Sequence, residues 1–116
     1  MSDTTVKGPG SSVSFAAETA TVHFEGSLRL GTAEYEPITA LLSRVLAGRP
    51  PAITLRMTEL VFLNSSGINT LYKFIIAVRK LGDLAVHVDA SSAITWQGKS
   101  LPNLRKFLPS ITLTMS

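Results

Sequence analysis

The sequence predicts an α/β domain: a small, four- to five-stranded mixed sheet with three to four helices. Three observations carry this. Short stretches of strict apolar/polar alternation mark strands with one packed face and one wet face. Between them lie segments with the i, i+3, i+4, i+7 apolar spacing of amphipathic helices. The two kinds of segment alternate along the chain, which argues for a largely parallel sheet.

Composition bounds the rest. The chain has 116 residues, 45% hydrophobic and 16% charged, which suits one core and is too apolar for a disordered chain. Residues 1–12 are Gly-, Ser- and Thr-rich with little to bury, and predict a disordered arm ahead of a single domain over 13–116. The absence of cysteine excludes disulfides, thiolate metal sites and cysteine nucleophiles. No apolar run is long enough for a membrane span, and the polar N-terminus lacks the apolar stretch of a signal peptide. The cytoplasm is the default location. A net charge of +3, with no like-charge block longer than Arg79-Lys80 or Arg105-Lys106, falls short of a nucleic-acid footprint.

Taken in order, strand character begins at Val13. In 20–25, Val22 and Phe24 oppose Thr21, His23 and Glu25, and Gly26 is expected to end the run. These two strands are close enough in sequence to form an edge hairpin. Ile38, Leu41, Leu42 and Val45 form a helical stripe, with Gly48 at the place of a left-handed cap and Pro50-Pro51 blocking continuation. Pro37 favours a late helix start or a kink. Ile53, Leu55 and Met57 alternate as the next strand. Ile68, Leu71, Tyr72, Ile75 and Val78 stripe the clearest helix, which Gly82 closes. Leu84, Val86 and Val88 form a strand. A short turn near Trp96 precedes a helix that starts at Ser100, holds Pro102 in its first turn and runs to about Phe107. Ile111, Leu113 and Met115 finish the sheet. Right-handed crossovers between strands whose order does not reverse place the helices on one face.

The chemistry concentrates between Ile53 and Gly82. Asn64, Ser65 and Ser66 are all good N-cap residues, standing where the first helical N–H groups lack acceptors. Gly67 allows close approach of another group. On the residues alone, this segment reads as a capped helix. The same physics favours an anion there, so a phosphoryl group on Ser65, adding a charge of about −1.5 to −2, would be tolerated while remaking the surface.

The run Leu60-Val61-Phe62-Leu63-Asn64-Ser65-Ser66-Gly67-Ile68 resembles STAS domains, the bacterial anti-sigma-factor antagonists, in which an apolar triplet leads into Asp-Ser-Ser-Gly and a helix. Glu25-Gly26-Ser27-Leu28-Arg29-Leu30 is similar to that family's glycine-containing exit from its second strand. The resemblance covers roughly 13–116 and is strongest over 53–82. It implies a small mixed sheet with helices. It also implies a non-enzymatic switch in signal transduction and transcription regulation. A partner serine kinase, often itself the anti-sigma factor, phosphorylates the serine after the Asp, and a metal-dependent serine phosphatase resets it. By position that acceptor is Ser65, with Ser66 second, and Gly67 is the motif glycine. Asn64 replaces the usual Asp, which keeps the cap and removes a carboxylate beside the acceptor.

Partner contact is expected through Asn64, Ser65, Ser66, Gly67 and the exposed helix face carrying Asn69, Lys73 and Ile76. His23 and His87 read as surface residues without further metal ligands. Trp96 reads as sealing a helix against its own sheet. There is no nucleophile elbow, phosphate loop or dinucleotide fingerprint, so neither catalytic residues nor a cofactor are assigned. Ligand binding at the helix N-terminus lacks any Lys or Arg over 64–70. The competing functional class is a constitutive scaffold in a larger signalling or transport assembly. There Asn64-Ser65-Ser66 is only a cap, and the Ile76 face joins a homo-oligomer or complex.

Overall fold

Six strands form one sheet in the computed structural model, which describes residues 4–82 and 84–116. They are β1 (Thr4–Gly8), β2 (Ser11–Ala16), β3 (Thr21–Leu28), β4 (Ala52–Leu63), β5 (Ala85–Ala90) and β6 (Thr112–Met115). Their spatial order is their sequence order. β1, β2 and β3 pair antiparallel; β3, β4, β5 and β6 pair parallel.

Six strands correct the expected four to five. The extra strand is β1, formed by residues assigned to a disordered arm. Its backbone pairs with β2 from Thr4↔Phe15 to Gly8↔Ser11, across a turn where Gly10 takes φ +72°. Main-chain hydrogen bonds and one packed residue, Val6, hold it, which is why apolar periodicity gives no sign of it. The rest of the expected arm ahead of it, Met1 to Asp3, lies outside the described residues.

Gly26 does not end β3. At φ +83° it lets the strand continue to Leu28 past a shift in its pairing with β4, while a Cβ there would run into the Gly10 carbonyl. Helix α1 (Glu36–Ala47) follows a 3-10 turn over Thr32–Tyr35, so Pro37 falls in the first turn, where its missing N–H costs nothing. Ile38, Leu41, Leu42 and Val45 are all buried. Gly48 is not the left-handed residue: it stays right-handed and Arg49 turns the chain at φ +47°. Pro50 disfavours the right-handed conformation at the residue before it, so the exit falls there. Helix α2 (Ser65–Leu81) ends at Gly82, φ +91°. A short run follows β5: α3 (Thr95–Ser100), a 3-10 turn, then α4 (Leu104–Phe107).

One sheet face supplies the core through Val13, Val22, Phe24, Leu55, Met57 and Val88, among others. The other face is polar. The row Ser14, His23, Arg56, Asp89 and Thr114 crosses five strands in register. Its wetness agrees with helices gathered on one side. Among the described residues no helix is long and apolar enough to cross a membrane.

The long strand β4 positions the site. β5 accompanies it only from Ala52 to Arg56, whereas β3 follows it to Leu63. Beyond Arg56 its other edge is covered by side chains of α3. Gln97 Nε2 donates to the carbonyls of Met57 (2.6 Å) and Leu60 (2.9 Å), and Gln97 Oε1 accepts from Ser91 N–H (2.8 Å). Trp96 Nε1 donates to Leu60 O (3.3 Å) and Val61 O (3.0 Å).

Candidate functional site

β4 delivers the chain to Asn64, whose extended backbone (φ −79°, ψ 176°) stops the strand and starts α2. Its carboxamide serves three partners. Oδ1 accepts from Gly67 N–H (3.0 Å) and from the Tyr35 hydroxyl (2.6 Å); Nδ2 donates to Leu30 O (2.8 Å). Only this orientation of the amide satisfies all three partners. Asn64 N–H also donates to Leu28 O (3.2 Å). Burial raises the Tyr35 pKa, and a backbone hydrogen bond at Leu30 works against that rise.

Gly67 is buried beneath this cap. A Cβ there would meet the Leu63 side chain and come within 2.7 Å of Tyr35 Oη, so only glycine lets the first turn of α2 approach. Ser65 is exposed at the first helical position, and its hydroxyl bonds to none of the described residues. Ser66 is half-buried, with Oγ 3.1 Å from Thr32 Oγ1, which ties α2 to the turn before α1.

The expected contact residues therefore separate. Asn64 and Gly67 are internal supports. Ser65 stands on the surface. Ser66, Asn69, Lys73 and Ile76 line an open groove of about 630 Å³ between α1 and α2, faced by Thr32 and Glu36. Ile76 is half-buried in the wall of this groove, which corrects its assignment to an exposed face. Lys73 is exposed and forms no ion pair among the described residues.

Three surface features escaped the sequence reading. Val61 and Phe62, assigned to an apolar lead-in, are 61% and 37% exposed. The cause is a register shift: Gly26 pairs with Leu60 and Ser27 with Phe62, so β4 carries an extra residue there. The Arg29 guanidinium lies over the Phe62 ring, 4.6 Å from its centroid. A run of three apolar residues gives no signal that two of them face out.

His23 and His87 sit on the open sheet face. His23 Nε2 is 3.1 Å from Glu59 and His87 Nε2 is 2.7 Å from Asp89. Among the described residues no group of three or more ligand-type side chains could hold a metal ion.

No family model and no curated protein matches the chain by sequence. Solved structures match it by fold. SiaC of Pseudomonas aeruginosa superposes with a TM-score of 0.73 at 13% identity, covering 100% of both chains. A structure of the diguanylate cyclase SiaD in complex with its activator SiaC, from the same organism, matches with a TM-score of 0.75 at 11% identity, covering 97% of this chain and 99% of that one. An anti-sigma factor antagonist from Mycobacterium paratuberculosis matches with a TM-score of 0.62 at 25% identity, covering 96% of this chain and 86% of that one. The fold is STAS-like, as the motif over 60–68 implied.

Proposed function

We propose that this STAS-like chain is a partner-binding regulatory protein whose switch is the hydroxyl of Ser65. One observation carries the reading. The helix cap is made by Asn64 alone, which leaves Ser65 exposed at the start of α2 with no structural task. A side chain that neither packs nor caps is free to be modified without unfolding the domain. Two of the similar structures are named for action on a partner, one as the activator of a diguanylate cyclase and one as an anti-sigma factor antagonist. Both names favour a binding role over catalysis here.

In this reading the unmodified protein binds its partner through the Ser65 region, the α1–α2 groove and the exposed Val61-Phe62 pair. A partner serine kinase transfers the γ-phosphoryl group of ATP to Ser65 Oγ, with ADP and a proton released. The added charge weakens the complex. A metal-dependent serine phosphatase restores the hydroxyl by hydrolysis. Mass-spectrometric mapping of protein from its native cell, with Ser65→Asp and Ser65→Ala compared for complex formation, tests this. Phosphate on Ser65, and binding by the alanine but not the aspartate variant, is the expected result. An unmodified Ser65 and equal binding by both variants would overturn it.

A second reading, a constitutive scaffold, is favoured by the exposed apolar pair Val61 and Phe62, which needs no switch to bind. It predicts a stable complex or homo-oligomer indifferent to Ser65 substitution and broken by Phe62→Ser.

A further inference from the structure

We propose that Arg29 reads the state of Ser65: a phosphoryl group on Ser65 takes the Arg29 guanidinium as its ion-pair partner and draws it off the Phe62 ring. The inference rests on phosphorylation at Ser65 and names the residue through which that charge reaches the surface beside it.

Backbone contacts place Arg29 beside the residue that precedes Ser65. Leu28, just before Arg29, accepts from Asn64 N–H at 3.2 Å, and Leu30, just after it, accepts from Asn64 Nδ2 at 2.8 Å. Arg29 is thus flanked by two contacts to the residue that precedes Ser65. An extended arginine carries its guanidinium roughly 6 Å from Cα, at about 1.5 Å per bond. That reach, added to the length of a phosphoserine, spans neighbouring backbone positions. Lys73 is the competing cation, but it lies eight residues along α2, about 12 Å up the helix axis.

Arg29 is also available. It is exposed, and among the described residues it makes no ion pair. Its guanidinium rests on the Phe62 ring. A cation–π contact at an exposed site is weaker than paired, charge-assisted hydrogen bonds to a phosphate dianion, and a guanidinium suits the bidentate geometry. Capture by the phosphate has two consequences. Phe62, beside Val61, loses its cationic cover. The same guanidinium is withdrawn from any carboxylate that a partner presents to this surface.

The test uses the full chain with phosphoserine installed at position 65 during translation, followed by ³¹P NMR titration. The second phosphate pKa is expected about 0.5 unit lower in the otherwise unaltered protein than in Arg29→Gln, with Arg29→Lys in between. The helix N-terminus acts equally on all three. The Phe62 ring-proton shifts should change on phosphorylation in the parent and hold still in Arg29→Gln. Equal phosphate pKa values in parent and Arg29→Gln, or ring shifts that ignore phosphorylation, would overturn the assignment. Because the phosphate is installed rather than made by a kinase, absence of phosphate on Ser65 in the native cell would defeat the switch itself and leave this titration unaffected.

Discussion

Asn64 and Tyr35, 29 residues apart, share a 2.6 Å hydrogen bond beneath the proposed switch. The Tyr35 proton has a second acceptor in reach, Leu28 O at 3.2 Å, but the shorter contact to Asn64 Oδ1 takes it. Together with Leu30 O on Nδ2 and Gly67 N–H on Oδ1, this makes Asn64 the point where the end of β3, the turn before α1 and the first turn of α2 meet. The site is therefore held rigid from below while Ser65 remains free above.

This arrangement explains Asn in place of the usual Asp. A carboxylate would keep the contacts to Gly67 and Tyr35 but has no proton for Leu30 O, so two acceptors would face each other at the Nδ2 position. Asn64→Asp is expected to lower stability by about 1–3 kcal/mol, the cost of an unsatisfied part-buried acceptor. Urea denaturation measures it. A variant at least as stable as the parent would show that the Leu30 contact carries no weight.

Tyr35→Phe removes the hydroxyl and leaves Asn64 Oδ1 with one donor. A loss of about 1 kcal/mol at neutral pH is expected. The pH dependence has a definite sign. Burial raises the folded-state pKa of Tyr35 above its unfolded value. Its contribution is thus fully present below the ordinary phenol pKa of about 10 and is lost as pH rises through the folded value. Melting curves of parent and Tyr35→Phe should converge above pH 10. A gap that stays constant there would mean the phenol is not protected.

What could be read from the sequence follows from what leaves a local signature. The stripes of α1 and α2 repeat every three to four residues because one side of each helix is buried, so Ile38 to Val45 and Leu71 to Val78 were visible. The cap was visible because Asn, Ser and Gly at a helix start have short-range reasons to be there. Tyr35, Thr32 and Arg29 reach the site through tertiary contact alone, and no spacing in the sequence marks them. β1 is bound by main-chain hydrogen bonds to β2, which any side chain permits. Ile76 stands on an otherwise polar side of α2, and the groove that half-buries it is lined by residues distant in sequence, Glu36 and Phe107 among them, which helical phase alone does not reveal.

Ser65 itself should be neutral for folding. Its hydroxyl has no partner among the described residues and the cap belongs to Asn64, so Ser65→Ala is expected within about 0.5 kcal/mol of the parent. Ser65→Asp should be equal or more stable by about 0.3–1 kcal/mol, because a negative charge in the first turn meets the positive end of the helix dipole. Thermal melts at low salt test both. A large loss in Ser65→Ala would assign the hydroxyl a structural role and weaken the switch reading.

Gln97 is the buried polar residue on which the exposed end of β4 depends. It is 0% exposed, and its amide satisfies Met57 O, Leu60 O and Ser91 N–H at once. Gln97→Met keeps the volume and removes all three bonds. Trp96 still serves Leu60 O, so two backbone groups are left without partners, at an expected cost of about 2–5 kcal/mol. Gln97→Glu separates donor from acceptor roles. It can still accept from Ser91 N–H, but its carboxylate would oppose two carbonyls in a dry site, so burial raises its folded-state pKa. The sign follows: Gln97→Glu should be closest to the parent at low pH, where the protonated acid can donate, and should lose stability as pH rises through the folded value. Urea midpoints of parent, Gln97→Met and Gln97→Glu across pH 4 to 8 distinguish the cases. A pH-independent Gln97→Glu midpoint close to that of the parent would mean that water reaches these carbonyls and that Trp96 alone holds the strand end in place.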